Sequence, residues 1–341
     1  MPAPDPAPTP SPSAFRAWWA QRSPAAGSAV MATGIVSVAL QTAGWEVLSL
    51  VLLVLACAAW LGLAAEFVLR LLRERERWVS EAESPDSLTA VAATAVLGTR
   101  VSALGHDALA GALLALAAVL WPVLLVLVVR RWRPHMPGSV FMACVATQGL
   151  AVLGATLAAA ESAAWLARVA LVLFWSGLVL YGLALFRFDP RQVLEGAGDH
   201  WVAGGAIAIS SLAGTKLLTA DSARLYLWND DDLGVLRLTT VALLVLDLAW
   251  YAVLLAAEAV RPRPAYDTRR WATVFPLGMT AAATLSASAA LEVPWLDGLG
   301  RVLLWISVAA WLAVAVGAAT SARTAITSGP LSAFVRSRAR R

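Results

Sequence analysis

Charge is what this sequence has least of. Of its 341 residues only 14% are Asp, Glu, Lys or Arg, against roughly 25% in an average soluble domain, and lysine occurs once, as Lys216. A chain this poor in charge cannot clothe itself in water-binding side chains, so a soluble globular domain is excluded and lipid replaces water around most of its surface. Cysteine is scarce as well. Cys57 and Cys144 both fall inside apolar runs, which fits small buried residues better than a disulfide or a metal pair. The three histidines, His106, His135 and His200, stand in three different loops. No nucleophile elbow, phosphate-binding glycine loop or pair of carboxylates within one run is present, so a membrane-embedded enzyme lacks a catalytic constellation and no cofactor or metal is expected.

What the chain does have is apolar length. It is 60% hydrophobic with a mean hydropathy of +0.71, and runs of about 20 apolar residues, enough to cross a bilayer, fall near residues 25–44, 47–69, 88–104, 107–129, 139–160, 163–186, 201–220, 233–259, 271–291 and 296–320. Ten spans are therefore expected. Of the 26 basic residues, 20 lie in the two tails and in the four loops after even-numbered runs, as in RLLRERER (70–77), RRWRPH (130–135) and RSRARR (336–341). The opposite loops are short or acidic, such as GHD (105–107) and WNDDD (228–232). The positive-inside rule then places both termini in the cytoplasm, and an even span number agrees in putting them on one side. Three parts follow: a Pro-rich disordered tail over 1–23 without a signal peptide, a transmembrane domain over 24–320, and a basic tail over 321–341. The pI of about 9.6 comes mostly from arginines suited to an anionic inner leaflet, and gives no reason to expect nucleic acid. Trp45, Trp201, Trp228, Trp271 and Trp295 fall near run ends, where interfacial anchors belong.

The ten runs are of two kinds in strict alternation. Odd ones, such as GSAVMATGIVSVALQTAG (27–44) and WVAGGAIAISSLAGTKLL (201–218), are rich in Ala, Gly, Ser and Thr, whereas even ones, such as VLSLVLLVLACAAWLGL (47–63), are dominated by Leu, Val and Trp. Bulky apolar residues suit lipid, while small residues let backbones approach and hydroxyls meet a partner or water. The fold expected is all-α, five helical hairpins that each give one inner and one outer helix around a central space. Candidate lining residues are Thr33, Gly34, Thr94, Gly98, Thr147, Gly149, Ser211, Gly214, Thr280 and Thr284; a tight, dry bundle is the alternative.

SAVMATGIVSVAL (28–40), HWVAGGAIAISSLAG (200–214) and WATVFPLGMTAAAT (271–284) resemble the first, seventh and ninth spans of the tellurite-resistance and C4-dicarboxylate transporter family, which includes yeast malate and sulfite transporters and the plant slow anion channels. Ala32 stands where the family's first-span run has its first glycine. The resemblance covers about residues 24–320. It implies ten helices around a pore, a homotrimer with one pore per protomer, and transport of small anions: chloride, nitrate, sulfite, tellurite or a C4-dicarboxylate. It also implies a phenylalanine from the ninth helix that plugs the pore.

Phe275 matches that phenylalanine. It precedes Pro276, which removes a backbone donor and should kink the helix; an ordinary core aromatic is the other reading. Arg100 and Lys216, toward the outer ends of the third and seventh runs, are candidates for attracting anions, or else they snorkel or pair with Asp221 or Asp230 to Asp232. Arg168, Arg237 and Arg301 recur at the start of even runs, which suggests ties between hairpins rather than a collecting ring. Asp247, near the middle of the eighth run, is either a proton-coupling carboxylate or a protonated group bonded to a neighbouring helix. Gated anion transport in the cell membrane is the function expected, with a proton-coupled dicarboxylate or sulfite carrier as the alternative.

Overall fold

A computed structural model describes residues 27–196, 198–221, 227–262 and 266–327. Most of the two predicted tails, 1–23 and 321–341, lies outside the described residues. Ten helices of 14 residues or more make up the body: α1 (Gly27–Thr42), α2 (Glu46–Arg73), α3 (Thr89–Ser102), α4 (Asp107–Val129), α5 (Met142–Glu161), α6 (Ala164–Leu185), α7 (Val202–Ala220), α8 (Asp230–Val260), α9 (Trp271–Ala290) and α10 (Trp295–Thr327). Eight of them are long and apolar enough to cross a membrane; α1 and α3 are shorter. No strand occurs among the described residues.

α1, α3, α5 and α9 each turn directly into the next even helix, and these four turns are tight because a residue in the left-handed region stops the helix. Gly44 (φ +87°) and Gly105 (φ +78°) do so without a side-chain clash, whereas Ser162 and Glu292 take the same conformation after α5 and α9. The turn from α7 to α8 ends on a cap, the Asn229 side chain accepting from the Asp232 backbone N–H at 2.8 Å.

Burial divides the helices as composition suggested. In the most hydropathic stretch of α5, α7 and α9, 78–94% of residues are buried, against 17–33% in the corresponding stretch of the five even helices. In α1 and α3 nearly every residue is buried too. The even helices instead expose Val54, Leu61, Val119, Val172, Val179, Val245 and Val316 by more than half, an apolar surface far beyond what a soluble monomer shows. This is a multi-pass, all-α membrane protein.

The odd helices close a ring. α1 packs on α3, α3 on α5, α5 on α7, α7 on α9, and α9 returns to α1. Their backbones come close because the contact positions lack side chains: a Cβ on Gly34 would lie 2.9 Å from Val96 Cγ1 on α3, nearer than carbon atoms pack.

Outer helices are then fastened to the next hairpin by one recurring bond. The indole N–H donates to a threonine hydroxyl from Trp60 on α2 to Thr94 on α3 (2.9 Å), from Trp121 on α4 to Thr147 on α5 (2.8 Å), and from Trp311 on α10 to Thr33 on α1 (3.0 Å). Each threonine passes its own proton to the carbonyl four residues back, so neither polar group faces lipid unpaired. Between α8 and α9 the tie is Thr280 donating to Asp247 at 3.1 Å. Arginines act alike at the opposite end from Gly27: Arg301 on α10 donates to the Ala43 carbonyl of the first hairpin (3.1 Å), and Arg237 on α8 to Leu291 of the fifth (3.4 Å). Trp201, Trp228 and Trp271 are buried, unlike Trp45 and Trp295. Trp201 and Trp271 adjoin the starts of inner helices, where neighbours are protein, so end position alone does not make an interfacial anchor.

Candidate functional site

Since every even helix carries the chain back, the five inner helices run in the same direction and begin at the same end. Their centre is nearly filled. A cavity of about 10 Å³ is lined by Ile35 and Val38 of α1, Val96 and Thr99 of α3, Gly149 and Val152 of α5, Ile209 and Leu212 of α7, and Met279 of α9. That is room for no more than about one water. Ile35, Val96, Gly149, Ile209 and Met279 each stand seven or eight positions after the first residue of their helix, so the five helices meet at one depth. Four of them add the residue three positions on, which lies on the same face. The product is an apolar constriction on the axis of the ring.

Phe275 is buried, one turn before Met279 on α9. At about 1.5 Å per residue it lies about 6 Å from the constriction toward the end where the odd helices begin. Its ring abuts α7 at Gly205, where a Cβ would come within 3.0 Å of Cε1 and within 2.9 Å of the Pro276 ring. Any larger residue there would force the pair to retreat. α9 runs unbroken through Pro276, which cannot donate to the Ala272 carbonyl.

The polar candidates are placed less uniformly. Gly149 is on the constriction wall; Gly34 lies in the α1–α3 contact, Gly98 faces Leu153 of α5, and Gly214 faces Thr240 of α8. Thr33, Thr94 and Thr147 turn their hydroxyls to outer-helix indoles, Thr280 to Asp247, and Thr284 bonds the Thr280 carbonyl. Ser211, next to Leu212, is fully buried and its hydroxyl has no partner among the described residues. Thr99 and the apolar lining were not anticipated. The sign that reveals them is register: five small-residue runs aligned at their starts bring 35, 96, 149, 209 and 279 level.

Arg100 is buried against the start of α2, where its Nε donates to Ser49 Oγ (2.8 Å) and its guanidinium is paired with Glu46. Its charge is thereby partly cancelled. Lys216, one turn from the end of α7, is half-buried with no side-chain bond among the described residues. Asp247 is buried on α8, its second oxygen without a partner among the described residues.

Where the odd helices begin, five N-termini gather, each carrying about half a positive charge. Asp86, just before α3, and Asp199, just before α7, sit among them with Arg269. Burial, then the Asp199 charge, push the Asp86 carboxyl up to about 6, against the pull of Arg269.

The inner helices thus form a ring with an axial constriction, and the comparison with known families adds what such a ring does. Residues 21–319 match the family model described as voltage-dependent anion channel (SLAC1). The chain belongs to that family. No curated protein matches it. Membership of the voltage-dependent anion channel family, into which the tellurite-resistance and C4-dicarboxylate transporters also fall, makes this a membrane protein that transports anions.

Proposed function

We propose that the protein is a gated channel for small anions whose path runs down the axis of the inner ring and is shut at two adjoining levels, the Phe275 ring and the apolar constriction beside it. The observation that carries this reading is the convergence of all five inner helices on one constriction at one depth. In this reading the body crosses the cell membrane ten times as five hairpins, with α1 and α3 as short inner spans. Both termini are cytoplasmic, three protomers assemble with a pore each, and lipid meets the outer helices.

Closure is by dewetting. Nine residues, among which only Thr99 has a polar side chain, surround a space of one water's volume, so a hydrated anion cannot pass. Opening requires the Phe275 ring to leave Gly205 and Met279, an unbranched and adaptable side chain, to swing aside. Anion preference then follows from the spare hydroxyl of Ser211 and from Lys216 toward one mouth; at the other, Asp86 and Asp199 offset part of the positive field of the inner-helix N-termini, and Arg100, already paired, contributes less. These groups attract without enclosing, which lets an anion leave as readily as it enters. The substrates proposed are the small anions that the family resemblance implies: chloride, nitrate, sulfite, tellurite or a C4-dicarboxylate.

A second reading, a proton-coupled carrier, is favoured by one observation: Asp247 is buried with a free oxygen and holds Thr280, the neighbour of Met279. Reconstituted flux separates the two. A channel exchanges internal chloride for external nitrate, one charge for one, in liposomes without a pH gradient and without potassium; flux that requires a pH gradient transfers the case to the carrier.

A further inference from the structure

A second cavity, of about 330 Å³, lies outside the inner ring, between α1, α2, α3 and α4 and toward the end where the odd helices begin. That volume is at the lower end of pockets that hold small ligands. Its walls are apolar, with Val30, Trp60, Leu63, Phe67, Leu116 and Leu120 forming a sleeve between two outer helices. Its mouth is polar.

There Arg70 near the end of α2 is paired with Glu66 and, at 2.5 Å, with Glu81 of the two-turn helix Arg75–Ala82. Arg70 engages one oxygen of Glu66; the other, Oε2, is buried with no partner among the described residues, and so is the indole N–H of Trp78. Both side chains line the cavity. Buried polar atoms are nearly always paired, so the sleeve ends in one acceptor that lacks a donor and one donor that lacks an acceptor. The charge of the acceptor is negative.

An occupant that satisfies all three features has an alkyl chain for the sleeve, a cationic N–H donor for Glu66, and an oxygen acceptor for Trp78. We propose that this cavity binds one acyl chain of a phospholipid with a primary-ammonium headgroup, the ammonium on Glu66 Oε2 and an ester or phosphate oxygen on Trp78. A choline headgroup has the same charge but no N–H to donate, and an anionic headgroup meets Glu66, Glu81 and Asp86, with Arg70 already engaged by the two glutamates. The site is independent of the anion path. Its wall does include Thr94 and Trp60, whose hydrogen bond fastens the first hairpin to the second, so the lipid buttresses that seam.

The test is native mass spectrometry of the delipidated full chain in detergent, titrated with phosphatidylethanolamine and with phosphatidylcholine of the same acyl chains. The ethanolamine lipid should reach half-saturation at a concentration at least about tenfold lower. Glu66→Gln should bring the two lipids within about twofold of each other, and Ala64→Leu, which narrows the sleeve without touching the mouth, should weaken the ethanolamine complex by about tenfold in a protein that melts like wild type. Equal binding of both lipids by wild type, or a preference that survives the two variants, would overturn the assignment; equal binding is what a bridging water between Glu66 and Trp78 would produce.

Discussion

Gly205→Ala is the sharpest perturbation of the proposed gate, because it adds one methyl and removes nothing. In the closed arrangement that methyl would stand 2.9 Å from Pro276 Cγ, 3.0 Å from Phe275 Cε1 and 3.2 Å from Cδ1. Carbon atoms rest at about 3.5–4.0 Å, so the Phe275–Pro276 pair must retreat by about half an ångström or more. Overpacking of this kind costs about 1–3 kcal/mol. If opening carries the ring away from Gly205, the penalty falls on the closed state alone, and the ratio of open to closed rises about 5- to 150-fold. The assay is chloride flux from proteoliposomes, normalised to protein inserted. Gly98→Ala is the matched control: its Cβ would crowd Leu153 Cδ2 at 2.5 Å in the α3–α5 contact, away from the gate, so it should lower the melting temperature without raising flux. Flux unchanged by Gly205→Ala in a protein of wild-type yield, or raised equally by both variants, would refute the reasoning.

Other outcomes follow from single contacts. Trp121→Phe and Thr147→Val should each cost about 1 kcal/mol of stability, and the double variant should cost little more than either, read as coupling in a thermal double-mutant cycle. Asp86→Asn should stabilise the protein above about pH 6, since a carboxyl whose pKa is raised in the folded state stabilises while protonated and loses that contribution as pH rises. The advantage should vanish as pH falls toward 4, and thermal melts across that range check it. Glu46→Gln unmasks Arg100 and should raise anion flux by about a few-fold at low ionic strength, an effect that 1 M salt abolishes. Asp247→Asn should leave channel flux unchanged at every pH; a pH dependence that disappears with it would favour the carrier.

Much of the architecture could be read from residue size. The alternation of small and bulky runs corresponds to inner and outer helices because glycine and alanine are what allow backbones to approach, as Gly34 does against Val96, and because Leu and Val cost nothing against lipid. The ties made by Arg237 and Arg301 were legible from repetition of position, but Arg168, the third of that set, is exposed and makes no such tie among the described residues. The constriction was not. A search for hydroxyls on the path finds Thr33, Thr94 and Thr147, but a threonine in an apolar helix can satisfy its own carbonyl and accept from any neighbour, and here the neighbours are tryptophans on the outer helices. The residues that meet on the axis are Ile35, Val96, Ile209 and Met279, apolar and unremarkable in composition. Register revealed them, and register needs the helix starts that only the fold supplies. Asp247 was legible as a costly mid-span carboxylate; its tie to Thr280 was not, because it joins residues 33 positions apart.

The most direct test of the account is exchange of internal chloride for external nitrate, which balances charge, through Phe275→Ala in proteoliposomes, with potassium flux measured alongside. Deleting the ring vacates the space between Gly205 and Met279 and lets the constriction relax, so chloride flux should rise at least about tenfold over wild type while potassium stays excluded. Flux no greater than wild type from a stably inserted variant, or a rise that potassium shares, would contradict an anion path gated by Phe275 along the axis of the ring.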